Sequence, residues 1–100
     1  MNAADVREAA SKAFKNGFGA TIRIAPIDGA HFDVDGRGAA CIISDAPTDR
    51  APECTWRASV ETLVRIFEGD RALESAYLSG RLSIVGDISV MARLVLESSR

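Results

Sequence analysis

Ser79-Gly80-Arg81-Leu82-Ser83-Ile84-Val85-Gly86-Asp87-Ile88-Ser89-Val90-Met91-Ala92-Arg93-Leu94-Val95 holds a helix stop, a strand, a turn and a helix start in one run. Gly80 follows the apolar positions Leu73, Ala76 and Tyr77, where a helix end favours a residue that tolerates positive φ. Arg81 to Ile84 alternates polar and apolar, the period-2 pattern of a strand with one buried face. Gly86 permits a sharp turn. Asp87 can accept the free N–H groups of a following helix and complements its positive end. Ile88, Met91, Ala92 and Val95 recur at i, i+3, i+4 and i+7, an apolar helical stripe. A strand punctuated this tightly between two helices belongs inside one compact α/β unit.

Upstream of that run, Asp70 is a candidate cap for a helix over Arg71–Leu78, and Gly69 stops the helix before it. That earlier helix has Ser59 as its N-cap and Val60, Leu63, Val64 and Phe67 as its stripe. Glu53–Ala58 is a strand with Cys54, Trp56 and Ala58 on one face. Asp45–Pro52 is a loop, argued by Pro47, Asp49 and Pro52. Further back, Ala39–Ile43 is apolar throughout and predicts a strand covered on both faces. His31–Asp35 is a strand with Phe32 and Val34 inward and Asp33 and Asp35 outward. Phe18–Ile24 gives the first strand, after which Pro26 breaks the ladder and Asp28-Gly29 turns the chain. Ala3–Phe14 reads as an amphipathic helix whose apolar face is mostly alanine. The order is α-β-β-β-β-α-α-β-α: an α+β fold, one layer of five strands with its helices mainly on one face.

The length of 100 residues predicts one domain over positions 1–100. Twelve basic and fourteen acidic residues are interleaved for a net charge of −2, with no basic stripe, so nucleic acid is a poor partner. No apolar run approaches a membrane span, and the charged start lacks a signal peptide's apolar region. The last residues, Ser98-Ser99-Arg100, are not a Ser-Lys-Leu peroxisomal address, so the expected compartment is the cytoplasm. Cys41 and Cys54 have no CxxC spacing and no neighbouring histidine; they read as buried small apolar residues.

Residues with chemistry are sparse. His31 is the only histidine and has no nucleophile beside it in sequence. Asp33 and Asp35 share a strand face, an arrangement that serves solubility on an edge strand. Neither GxGxxG nor GxxxxGK[ST] occurs, and metal-ligand spacing is absent. The reading is therefore of a protein with no catalytic residues, no metal and no cofactor. What remains is apolar: Trp56, Leu63, Phe67, Tyr77, Leu78, Met91, Leu94 and Val95 gather in the C-terminal half, and the plain reading is that they fill a core.

Ala76-Tyr77-Leu78-Ser79-Gly80-Arg81-Leu82-Ser83-Ile84-Val85-Gly86-Asp87 resembles the signature of the sterol carrier protein 2 domain: Ala, an aromatic and an apolar residue, Gly-Lys/Arg-Leu, Ile/Val, then Gly-Asp/Asn. Leu63, Phe67 and Gly69 resemble the family's short helix ending in glycine. The alanine-rich N-terminal helix departs from a longer, more leucine-rich family segment. The resemblance implies helices and a sheet enclosing an apolar tunnel for acyl chains or sterols, with those eight apolar residues as its lining candidates. It implies an apolar lipid or sterol-like partner, bound non-covalently. The alternative is an accessory domain of the same fold with a filled core, acting through a homodimer or a partner enzyme.

Overall fold

Strand β1 (Thr21–Pro26) lies at the centre of a five-stranded sheet of order β3-β2-β1-β4-β5. This computed structural model describes residues 3–45, 51–68 and 72–93. On one side β1 pairs antiparallel with β2 (Phe32–Asp35), which pairs antiparallel with β3 (Ile42–Ser44). On the other it runs parallel to β4 (Cys54–Ala58), and β4 pairs antiparallel with β5 (Ser83–Gly86). Helices α1 (Ala3–Ala13), α2 (Val60–Phe67), α3 (Ala72–Leu78) and α4 (Val90–Arg93) complete the expected α+β order.

The register explains which face is covered. Ile22 lies opposite Val34 and Cys54, and Ile24 opposite Phe32 and Trp56. Side chains alternate along a strand, so these six form one continuous apolar face. Val6, Ala10 and Ala13 of α1 and Val60, Leu63, Val64, Ile66 and Phe67 of α2 belong to the same buried cluster. Phe14 joins the two helices to the sheet, with its ring centroid 5.4 Å from Phe67 and 6.0 Å from Trp56. Trp56 and Phe67 stack at 6.0 Å and 13°. The alanines of α1 carry little side chain, so this helix can lie close against α2.

Local signals fix the ends. The Ser59 hydroxyl accepts from the Thr62 N–H at 3.2 Å, and the Asp28 carboxylate accepts from the Val60 N–H at 3.3 Å, so α2 is capped twice. After α3, Gly80 at φ +81° turns the chain, and the Gly80 and Leu82 N–H groups donate to the Tyr77 and Ala76 carbonyls. The buried Leu82 then anchors the entry into β5.

Four expectations are corrected. Asp33 does not face solvent from an edge strand: β2 is interior to the sheet and Asp33 is 2% exposed. Arg23 lies directly opposite it on β1 and grips its carboxylate with two hydrogen bonds of 2.8 and 3.3 Å. That pairing is what makes the burial tolerable, since a lone buried carboxylate is costly. The bonded guanidinium in turn holds its proton more tightly than usual. Second, the segment 39–43 is not a doubly covered strand; β3 starts at Ile42, forms the sheet edge and leaves Ile42 65% exposed. Third, β1 begins at Thr21 and runs into Pro26, because Phe18 and Gly19 instead donate to the Gly36 carbonyl at the preceding turn. Fourth, α4 begins at Val90: the Asp87 carboxylate accepts from the Ser89 N–H at 3.0 Å, and Ile88 stays in the turn before the helix. The expected Gly69 stop, the Asp70 cap and the Pro47 and Asp49 loop residues lie outside the described residues.

Candidate functional site

The inner face of the sheet ends at Ile84 of β5, which pairs with Trp56 across the β4–β5 ladder. Two helices flank it. Leu73 and Tyr77, four residues apart on α3, share one helical face. From the other side come Met91 of α4 and Ile88 of the preceding turn. Together with Glu74 these residues line a groove of about 460 Å³. That volume falls within the ~300–1,000 Å³ typical of small-molecule sites, and the lining is chiefly apolar, as such sites require.

The eight apolar candidates divide by position. Trp56, Leu63 and Phe67 are at most 1% exposed and lie within the packed core, in ring contact or in the same buried cluster. Tyr77 and Met91 line the groove. Leu78, on the same helix, is 75% exposed and is not part of the lining, because it sits one residue round the helix from Tyr77. Leu94 and Val95 lie outside the described residues. The structure adds Leu73, Glu74, Ile84 and Ile88 to the candidates. Leu73 and Tyr77 carry a readable i, i+4 signal, and Ile84 alternates with Ser83 and Val85. That these meet one another follows only from the tertiary fold, which sets α3, β5 and α4 around one opening.

The two β2 carboxylates are held in ion pairs. Asp33 is held by Arg23, and Asp35 is paired with Arg37 at 2.7 Å. His31 is exposed in a shallow cleft of about 240 Å³, beside the ion pair of Arg7 and Asp45. Cys41 and Cys54 are free thiols, and the Cys41 thiol donates to the Asn16 carbonyl at 3.2 Å. Cys54 is in β4 and Cys41 just precedes β3, three strand spacings away in the sheet order. That is roughly 14 Å, too far for a bridge without rebuilding the sheet. Burial pushes both thiols above their usual range. Among the described residues, no three His, Cys, Asp or Glu side chains converge as a metal site, and no helix is long and apolar enough to cross a membrane.

Residues 2–95 of the chain match a family model described as the SCP-2 sterol transfer family. The chain belongs to that family. Membership supports a lipid-binding or lipid-transfer role. Solved structures share the fold: a UbiJ-SCP2 ubiquinone synthesis protein aligns with TM-score 0.62 at 20% identity, covering 86% of this chain and 70% of that one. The palmitated SCP2L2 of Aedes aegypti aligns with TM-score 0.60 at 15% identity, covering 93% and 90%. The apo sterol carrier protein 2 of Yarrowia lipolytica aligns with TM-score 0.57 at 11% identity, covering 92% and 75%. No curated protein sequence matches the chain.

Proposed function

We propose that this chain binds an apolar lipid non-covalently, with no bond made or broken, in the groove between α3, β5 and α4. The observation that carries the reading is the groove itself: about 460 Å³ of space bounded by Leu73, Tyr77, Ile84, Ile88 and Met91 beside a core already filled by Trp56, Leu63 and Phe67. Each methylene moved from water into such a site contributes ~0.8 kcal/mol, so about a dozen contribute ~10 kcal/mol before costs. Association and chain ordering cost ~4–15 kcal/mol; at the low end of that range about 6 kcal/mol remains, an exchangeable affinity suited to a carrier or a lipid-presenting module. The proposed setting is the cytoplasm.

Native mass spectrometry of the purified protein, followed by addition of a fatty acyl lipid, tests this. A co-purifying lipid mass, and a thermal midpoint that rises with added lipid, are expected; 100-fold saturation adds about 2.7 kcal/mol. A protein free of lipid whose melting ignores every apolar ligand contradicts it. A second reading, an accessory domain acting through protein contacts, draws on the two sheet edges, where Ile42 and Val85 are each 65% exposed. A clean dimer that Val85→Lys dissociates, with no lipid bound, would favour it.

A further inference from the structure

We infer that Glu74 makes the groove select an apolar ligand whose head is a hydrogen-bond donor, a hydroxyl or a protonated amine, over one whose head is a carboxylate. The inference rests on the lipid-binding reading and concerns Glu74, the one acidic side chain among the described residues of a chiefly apolar lining. Glu74 and Tyr77 are three residues apart on α3, so both project over the same stretch of groove. Among the described residues neither the Glu74 carboxylate nor the Tyr77 hydroxyl has a hydrogen-bond or ionic partner. Both remain available to a ligand.

No cation among the described residues lines the groove. Arg81, just beyond the end of α3, is turned elsewhere, donating to the Ser79 hydroxyl at 2.9 Å and the Ser75 hydroxyl at 3.1 Å. A fatty acid seated with its head by α3 would thus set one carboxylate beside another with no cation of the described residues lining the groove to neutralise them. A hydroxyl or ammonium head placed there donates to Glu74 in a charge-assisted bond, and Tyr77 can accept or donate beside it. At a solvent-open site screening is strong, so the discrimination is moderate, roughly tenfold in affinity.

Isothermal titration of the whole protein near neutral pH with lauryl alcohol, laurylamine and laurate, each below its aggregation limit, tests the inference. The alcohol and the amine are expected to bind about tenfold tighter than laurate. Glu74→Gln should strengthen laurate several-fold and weaken the amine, compressing the order, while Tyr77→Phe takes away part of the alcohol's preference. Glu8→Gln, which alters net charge equally on α1, should leave the ratios in place and so exclude a bulk charge effect. Glu74 is exposed, and an unchanged melting curve would show that its variant folds. Laurate binding as tightly as the alcohol, or ratios indifferent to Glu74→Gln, would overturn the inference while leaving lipid binding intact. If none of the three ligands binds, the proposed function fails and this inference fails with it.

Discussion

Phe67→Ala should cost about 4–5 kcal/mol, at the upper end of the ~3–5 kcal/mol range for buried Phe→Ala changes. The reason is the neighbourhood. Phe67 is 1% exposed, its ring lies 6.0 Å from Trp56 in a stack and 5.4 Å from Phe14 edge-on, and those rings are themselves buried. Large rigid rings cannot slump into the space left behind, and each lost aromatic pair forfeits ~0.5–1.5 kcal/mol beyond area. Against a total of ~5–15 kcal/mol, the variant should be marginal, its thermal midpoint lowered by tens of degrees. Urea unfolding with a preserved slope is the assay. Tyr77→Ala is the partner experiment: Tyr77 is 43% exposed, so its loss should stay within ~1 kcal/mol while weakening lipid binding. A Phe67→Ala protein that loses under ~2 kcal/mol and gains lipid affinity would refute the reasoning, since Phe67 would then be a movable gate.

Two glycines separate strain from collision. Gly80→Val meets φ +81° but no atom within 4 Å of its Cβ and should cost ~1–3 kcal/mol, whereas Gly86→Val meets φ +110° and the Glu53 carbonyl oxygen at 2.4 Å and should cost distinctly more; equal melting curves would contradict this. Asp33→Ala leaves Arg23 without its partner and should cost ~3 kcal/mol, at the low end for a broken buried pair because Arg23 is 30% exposed. Burial, then the Asp87 and Glu53 charges, raise the Cys54 thiol above 9.0 in the fold. Its contribution is therefore fully present below that value and is lost as pH climbs through 9.0 toward the folded value, because the unfolded thiol ionises first. Urea midpoints at about pH 8 and about pH 10 should show a smaller fall for Cys54→Ala than for the native protein.

The elements whose evidence is local were legible. Val60, Leu63, Val64 and Phe67 mark the buried face of α2, Ser59 caps it, and Gly80 takes the positive φ expected after α3. Strand order was not, because it depends on which strands meet. The alternation Phe32-Asp33-Val34-Asp35 is real, yet nothing within it shows that Arg23 of β1 lies opposite Asp33. The apolar run 39–43 likewise gives no sign that β3 closes the sheet at its edge. The groove is hidden for the same reason: its residues come from α3, β5, a turn and α4, and in the sequence an apolar residue that packs a core looks like one that lines an opening. Tyr77 and Trp56 differ only in what the fold places over them.

On the proposed function the ligand sits between α3, β5 and α4 and leaves the Trp56–Phe67 core undisturbed. Titration of the labelled protein with lauryl alcohol, followed by two-dimensional NMR, locates the bound chain residue by residue. Saturable shifts are expected at Leu73, Glu74, Tyr77, Ile84, Ile88 and Met91, with still spectra for Leu63 and Phe67 and loss of the whole response in Ile84→Trp. In that variant the indole fills the groove and, with space to enter, should cost under ~1 kcal/mol, against ~1–3 kcal/mol for overpacking a closed core. Shifts centred on Trp56, Leu63 and Phe67, or a spectrum indifferent to the lipid, would contradict it.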